Sequence, residues 1–391
     1  MAGRENEASN VAAVLANVLK IDRNSLCFCG SLRKFKACCG SGSGDNLIFV
    51  EHALDIAKAY RKSQGGGIKS VPAGIWKKFE KSSLSRLRCL YPGCNEKAAS
   101  CHLIPENILR SNYGGHCKEY KIKDSLGLQF TEVGIGGAGC LPVFCSKHDH
   151  DLFNKIDQLR IDFSSGEQLF PFALKAISFS LRKTQYLLGI DSQIEILRPF
   201  LIQEVHRHPS GSHLTIDISH LQEQYIRFKS VYDFFKDSIK AYESQDWDFY
   251  LHLHRPIQHA RSIFFAGFFN PSHDLNGRKI NNSDQAIAMA CNSFTVNDYF
   301  HALFSCPRGL STDLYRDFFK QLENADERTF ITVLNNLLTF STETLLLPDT
   351  FSPNRDDLQK ISSAHQLAAR AVKSSGPIFD LKDANQAVKF L

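Results

Sequence analysis

The chain has 391 residues, of which 43% are hydrophobic, so it is long enough for two or three domains with ordinary packed cores. No apolar run approaches the roughly 20 residues that a bilayer-spanning helix needs, and the N-terminal residues lack the apolar segment of a signal peptide. We therefore expect a cytoplasmic protein with no membrane partner.

The 12 cysteines gather near the N-terminus, since only Cys291 and Cys306 follow residue 145. Such clustering in a chain of this size is typical of metal binding and excludes a secreted disulfide scaffold. Residues 1–160 carry 23 Lys and Arg against 15 Asp and Glu, whereas residues 161–391 carry 23 against 26. A basic half with metal motifs favours a nucleic-acid surface, although a solvated basic face explains the charge equally well.

The first metal motif follows a predicted helix over residues 8–20. Cys27 and Cys29 are separated by one residue, and the adjacent pair Cys38 and Cys39 follows after eight intervening residues. This spacing brings four thiolates within reach of one tetrahedral Zn²⁺. The segment resembles the SEC-C zinc module over about 14 residues, and the resemblance implies a docking role toward protein partners or other macromolecules.

A helix is predicted over residues 47–61, and a basic, aromatic stretch over residues 76–88 leads to the second motif. Cys89 and Cys94 flank the turn Pro92-Gly93, and Cys145 and His148 are three residues apart. A Cys₃His zinc site closed across the intervening loop is one reading of this set. Buried free cysteines that pack as small apolar groups are the other.

This second region resembles the HNH endonucleases, whose ββα-metal fold is often braced by zinc. His102-Leu-Ile-Pro105 matches the stretch that holds the general base, and Asp149 and His150 lie where the family has its cation ligand. The resemblance implies phosphodiester hydrolysis with catalytic residues His102, Asp149 and His150 and with Mg²⁺ or Mn²⁺ as the cation.

Three departures from that pattern keep alternatives open, and one of them is that no asparagine stands clearly at the middle position of the motif. Cys101 stands where an acidic residue usually precedes the base, and His148 stands where a cysteine is usual. The region can therefore be a zinc-braced fold without catalysis. His102 can also be a zinc ligand itself, with the further candidates Cys101, His116, Cys117 and Cys140. The sequence Gly134–Gly139 formally matches a dinucleotide-binding loop, but no long helix follows it, so we interpret it as an ordinary loop.

The C-terminal part mixes both periodicities. Helices are predicted over residues 169–188, 193–205, 220–242 and 313–340, and strand-like segments over residues 262–269 and 286–304. His252, His254 and His259 form a loose group without a completing ligand, so we interpret them as satisfied or exposed side chains.

The sequence thus predicts an α+β protein in which small zinc-stabilised N-terminal modules precede a larger, mostly helical α+β domain. The expected domains are residues 1–44, with the helix and SEC-C module, residues 45–160, with the HNH-like region, and residues 161–391. We expect a zinc-binding, HNH-like protein that binds nucleic acid, most simply DNA. The more specific version of this hypothesis is a metal-dependent endonuclease. Related bacterial layouts imply a role in phage defence. The alternative is a non-catalytic zinc adaptor that docks a protein partner through the SEC-C module.

Overall fold

The computed structural model describes residues 16, 19–29, 31–41, 87–122, 128–157, 161–205, 218–258, 262–269, 273–280, 289–297, 299–309, 313–340 and 344–351. The predicted helix over residues 47–61, the basic stretch up to residue 86, most of the predicted helix over residues 8–20, and His259 lie outside these ranges. Within them, no helix combines the length and apolarity needed to cross a membrane.

The chain divides into two compact units. One comprises residues 1–87 and 181–234, and the other comprises residues 88–180 and 235–391. Two long helices, α3 and α4, contribute residues to both units, and they span Gly166–Val205 and Ile218–Glu243. The domain boundaries expected from the sequence stay a prediction.

The second unit contains a seven-stranded antiparallel sheet in the order β3-β2-β9-β6-β7-β8-β5. Its strands are β2 (His116–Ile122), β3 (Leu128–Gly134), β5 (Tyr250–Gln258), β6 (Phe264–Phe269), β7 (Met289–Val296), β8 (Tyr299–Pro307) and β9 (Thr344–Leu347). The last strand, β9, pairs with both β2 and β6, so it joins the early and late parts of the chain in one sheet.

Helices cover both faces of this sheet. On one face, α5 (Asp313–Asn324) and α6 (Glu327–Phe340) bury an apolar cluster in which the rings of Phe304 and Phe330 lie 6.0 Å apart. On the other face, the ring of Phe172 in α3 stacks 4.9 Å from that of Phe294. Because successive residues of a strand point to opposite faces, both surfaces of the apolar central strands can be buried.

A smaller ββα unit precedes α3. Strands β1 (Ser100–His102) and β4 (Cys140–Pro142) pair antiparallel, with His102 opposite Cys140. Helix α1 (Glu106–Tyr113) follows β1, whereas three residues separate the end of β4 from the start of α2 (Ser146–Phe153). The rings of Phe144 and Phe153 lie 5.7 Å apart and pack α2 onto the hairpin. Strands β2 and β3 are inserted between the two strands of the hairpin.

The α+β class predicted from the sequence is confirmed. The predicted predominance of helices in the C-terminal region is not confirmed, because five of the seven sheet strands come from that region. The segments predicted as helices over residues 169–188 and 193–205 form the single helix α3. The segment over residues 134–139 contains a short 3₁₀ turn with no helix after it, as expected.

Candidate metal centres and the residues beside them

The first cluster comprises Cys27, Cys29, Cys38 and Cys39, whose sulfur atoms all lie within 4.8 Å of one another. A tetrahedral ion with Zn–S bonds of about 2.3 Å requires sulfur atoms roughly 3.8 Å apart, so the four thiols fit zinc. Two backbone hydrogen bonds close the loop that carries these cysteines. The amide of Cys27 donates to the carbonyl of Arg33, and the amide of Phe35 donates to the carbonyl of Ser25.

Helices α3 and α4 contact this loop within the first unit. The hydroxyl of Tyr225 in α4 donates a hydrogen bond of 2.8 Å to the carbonyl of Leu26. A Cβ atom at Gly189 in α3 would lie only 3.2 Å from the carbonyl oxygen of Cys29, so a glycine there permits close approach of the loop. The zinc module thus has packing partners that are distant in the sequence.

Mutual hydrogen bonds among the thiols prepare the cluster for a cation. Those from Cys27, Cys29 and Cys39 hold the pKa of Cys38 well below the usual value for a thiol, and the Ser31 hydroxyl adds a further bond of 3.1 Å. Cys38 consequently loses its proton more readily than an ordinary thiol, and the thiolate is the form that ligates zinc.

The second cluster comprises Cys89, Cys94, Cys145 and His148, whose ligand atoms also lie within 4.8 Å of one another. The Nδ1 atom of His148 is 3.4 Å from Sγ of Cys89 and 3.3 Å from Sγ of Cys145. The structure therefore brings together the four ligands that the sequence predicts for this site, across a separation of more than 50 residues. Three thiols and one imidazole suit zinc in a closed, structural site.

Two local features position these ligands. The turn between Cys89 and Cys94 passes through Gly93, whose φ of +79° lies in the left-handed region that favours glycine. Cys145 is the N-cap residue of α2. Burial raises the pKa of Cys145, but hydrogen bonds from the backbone amide of His148 and the thiol of Cys89 leave that pKa lowered overall. Burial raises the pKa of Cys89 to about 12 in the absence of an ion.

Tyr91 contacts one of the candidate ligands of the second cluster and was not predicted from the sequence. Its ring stacks on the imidazole of His148, with a centroid distance of 4.0 Å and an interplanar angle of 8°. Its hydroxyl donates a hydrogen bond to the Glu243 carboxylate at the end of α4. A partner of this kind fixes the orientation of a metal-binding imidazole. Its position inside the turn between two ligands is the only signal that the sequence carries.

His102, the predicted base, is placed at the end of β1 with its side chain 16% exposed. Its Nε2 atom lies 3.0 Å from the carbonyl oxygen of Ile135. Because a carbonyl oxygen can only accept, Nε2 must carry a proton, and the tautomer that fits this contact has its lone pair on Nδ1. The nearest carboxylate oxygen to Nδ1, at 3.8 Å, belongs to Glu106, which also pairs with Arg110.

Asp149 and His150, the predicted cation ligands, are consecutive residues of α2, so their side chains leave the helix about 100° apart. Oδ1 of Asp149 is buried and has no hydrogen-bond partner among the described residues, whereas His150 is exposed. Burial and then the charge of Asp149 raise the pKa of Cys101 to about 12, so this thiol stays protonated beside the carboxylate.

Asp157 and Lys175 extend this group of side chains and were not predicted. Burial raises the pKa of Asp157, and so does the charge of Asp149. The charges of Lys175, His102 and His150 lower the same pKa. Asp157 therefore lies within electrostatic reach of all three predicted catalytic residues. Only tertiary structure reveals this, because Lys175 belongs to α3, well beyond the predicted motif.

The remaining candidates do not join a metal cluster. Among the residues described, the two sets above are the only groups of three or more converging ligands, so Cys101, His102, His116, Cys117 and Cys140 complete no third set. In β5, Nδ1 of His252 bonds to Ser305 at 2.8 Å, and Nε2 of His254 bonds to His301 at 2.9 Å. His254 is hydrogen-bonded, as predicted, whereas Nε2 of His252 is buried and has no hydrogen-bond partner among the described residues.

Comparison with known proteins identifies one part of the chain. Residues 23–41 match the family model of the SEC-C motif. No curated protein and no solved structure matches the chain. The match covers the loop that holds Cys27, Cys29, Cys38 and Cys39, and so the chain carries a SEC-C motif with a cysteine cluster able to bind metal.

Proposed function

We propose that this protein is a zinc-braced DNA-binding protein whose ββα unit hydrolyses phosphodiester bonds with the help of a divalent cation. The observation that carries the proposal is that Asp149, which follows the candidate zinc ligands Cys145 and His148, acts by its charge on Cys101, the residue before His102. Strand β1 supplies His102, and the first turn of α2, anchored by Cys145 and His148, supplies Asp149.

His102 has the chemistry of a general base. With its Nε2 proton bonded to the carbonyl of Ile135, the free Nδ1 lone pair takes a proton from water while the water oxygen attacks phosphorus. The bond from phosphorus to the leaving oxygen breaks, and that oxygen gains the negative charge.

Asp149 has the chemistry of a cation ligand. A buried carboxylate oxygen without a hydrogen-bond donor is costly, and a divalent cation would compensate it. His150, on the exposed side of α2, is the second proposed ligand. Mg²⁺ or Mn²⁺ bound there would stabilise the charge on the leaving oxygen. The role in phage defence stays a prediction.

The test is cleavage of plasmid DNA by the zinc-loaded chain with Mg²⁺ or Mn²⁺. We expect His102→Ala and Asp149→Ala to lower the rate at least about 100-fold, because each removes a general base or a cation ligand. His116→Ala is the matched control, since His116 is exposed on β2. Equal cleavage by wild type and His102→Ala, or wild-type protein that neither binds nor cuts DNA at low salt, would refute the proposal.

A docking role for the SEC-C motif is the second candidate. The loop between its two pairs of cysteines exposes Arg33, Lys34 and Lys36, which suit an acidic partner surface. Affinity capture with wild type and with the double variant Cys38→Ser/Cys39→Ser tests this role. A partner lost only from the double variant supports docking, and identical captured proteins from both exclude it.

A further inference from the structure

The thiols of Cys29 and Cys38 are neighbours within the first cluster, with their sulfur atoms 3.4 Å apart. Two sulfur ligands of one tetrahedral zinc ion lie roughly 3.8 Å apart, whereas the two sulfur atoms of a disulfide lie about 2.05 Å apart. The observed distance falls between these values. The same two side chains can therefore share an ion or, after a small movement, a covalent bond.

Solvent reaches this pair through Cys29, which is partly exposed, whereas Cys27, Cys38 and Cys39 are buried. The Ser31 hydroxyl donates a hydrogen bond of 3.1 Å to the sulfur atom of Cys38 and so helps to hold that side chain beside Cys29. When an accessible thiolate is oxidised to a sulfenic acid, a sulfur atom next to it can condense with that acid. The arrangement thus favours a disulfide as the product of oxidation.

Every ligand of the first cluster is a sulfur atom, so a disulfide between two of them leaves the ion with two ligands. The loop that carries the ligands packs the rings of Phe28 and Phe35 6.0 Å apart, but it is too short to bury a core of its own. Such a loop owes much of its folding free energy to the ion that it binds. Oxidation should therefore release the ion and loosen the loop.

The contacts of this loop with helices α3 and α4 lie close to Cys29 in the sequence. A Cβ atom at Gly189 of α3 would lie 3.2 Å from the carbonyl oxygen of Cys29, and Tyr225 of α4 donates its hydrogen bond to the carbonyl of Leu26. All of these residues belong to the first unit of the chain. A change in the backbone at Cys29 would consequently disturb the packing of the SEC-C motif against both helices.

The second cluster offers an internal comparison. Nδ1 of His148 lies 3.4 Å from the sulfur atom of Cys89 and 3.3 Å from that of Cys145, and a nitrogen atom cannot complete a disulfide. Both sulfur atoms thus have a neighbour that oxidation of this kind does not consume. We expect the second cluster to keep its ion under conditions that oxidise the first.

We propose that Cys29 and Cys38 form a reversible oxidation site, at which a hydroperoxide such as hydrogen peroxide converts the two thiolates to a disulfide and the ion of the first cluster is released. The Cys29 thiolate attacks one oxygen of the peroxide, the O–O bond breaks, and a sulfenic acid and hydroxide form. The Cys38 thiolate then displaces a second hydroxide from the Cys29 sulfur. The two sulfur atoms have given two electrons to the peroxide, and two protons from solvent convert the hydroxides to water.

Two variants that each retain one cluster test the release of the ion. Cys145→Ser keeps the first cluster, and Cys38→Ser/Cys39→Ser keeps the second. Each full chain is loaded with zinc and treated with equimolar hydrogen peroxide, and a chromophoric chelator records the released zinc. Because Cys29 is accessible and has a sulfur atom beside it, we expect release from Cys145→Ser to be about tenfold faster or more. A dithiol reductant with fresh zinc should restore the ion, and equal release from the two variants would overturn the proposal.

Mass spectrometry of the wild-type chain identifies the bond. Trypsin cleaves at Arg33, Lys34 and Lys36, between the two cysteines, and fragmentation of the linked peptides assigns the sulfur atoms. A linkage of Cys29 to Cys38 is expected. Thiols of Cys29 and Cys38 that stay open to alkylation after peroxide treatment, or a disulfide between other cysteines, would overturn the proposal whatever the zinc content. The measurement involves no DNA, so its result is independent of the proposed nuclease.

Discussion

The imidazole of His148 lies flat against the phenol ring of Tyr91, with ring centroids 4.0 Å apart. The phenol is held in turn by its hydrogen bond to Glu243. His148 therefore has few orientations available, and the one it adopts directs Nδ1 toward the sulfur atoms of Cys89 and Cys145. A preformed orientation reduces the conformational entropy that metal binding must overcome.

Tyr91→Ala is expected to weaken zinc binding at the second cluster by about tenfold or more, as the loss of an outer-shell partner usually does. Tyr91→Phe keeps the stacked ring and should lose much less. Competition with a chromophoric chelator measures the affinity. The first cluster is the internal control, and equal retention of zinc in Tyr91→Ala and wild type would contradict this role of the ring.

Elemental analysis of the purified chain is expected to find two zinc ions, because both ligand sets fit tetrahedral zinc. Cys38→Ser/Cys39→Ser and Cys145→Ser should each retain one. Since the two clusters lie in different units of the chain, each loss should leave the other ion in place. A single zinc in the wild type, bound by the early cysteines alone, would contradict the second site.

Gly40→Ala is expected to reduce zinc at the first cluster. A Cβ atom at residue 40 would lie 2.8 Å from the carbonyl oxygen of Phe35, so the loop that presents Cys38 and Cys39 must shift. Zinc content and the rate of zinc release measure the effect. Gly136→Ala is the control, because a Cβ atom there meets nothing within 4 Å, and equal zinc release from both variants would argue against the crowding.

The stability of the chain should fall on acidification, in part because of His252. Burial and then the charge of Arg308 lower the pKa of His252 from 6.5 to about 4. As the pH falls below about 6.5, His252 takes up a proton in the unfolded chain but stays neutral in the folded chain. The contribution of neutral His252 to the free energy of unfolding is complete above pH 6.5 and is lost as the pH falls toward 4. Between pH 7.5 and pH 5 this loss amounts to about 2 kcal/mol.

His252→Asn removes this titration, so its free energy of unfolding should depend less steeply on pH than that of the wild type. Urea unfolding at pH 7.5 and pH 5 measures both. Zinc loss at low pH affects the two proteins alike, so the difference between them isolates the histidine. Parallel pH profiles would show that His252 is not responsible.

The two candidate sets of metal ligands were predictable because most of their residues are close together in the sequence. Short spacing in the sequence identifies three pairs of ligands, which are Cys27 with Cys29, Cys38 with Cys39, and Cys145 with His148. The sequence analysis had to assume that Cys89 and Cys94 share one site with Cys145 and His148. The short distances among the four ligand atoms support this assumption. The contacts of Tyr91 were not predictable, because they join it to a ring and a carboxylate that lie far away in the chain.

The sheet was harder to predict than the helices. Strand β5 carries the four polar or charged residues His252, His254, Arg255 and Gln258 as well as Pro256, and β9 is a run of only four residues, so neither shows a clear alternation along its whole length. The hairpin of β7 and β8 was predictable from apolar runs separated by Asn297, whose φ is +52°. Helix α3 was predicted as two segments because Gly189 and its neighbours interrupt the apolar pattern, yet its backbone stays helical.

The pairing of β2 with β9 makes the ββα unit hard to excise. Lys118 and Glu119 of β2 lie opposite Leu347 and Leu346, which come more than 220 residues later. A fragment that stops at residue 160 would leave one edge of β2 bare and open to association with other chains. Attempts to study the hydrolytic chemistry should therefore begin with the intact polypeptide, since a shorter piece would invite aggregation.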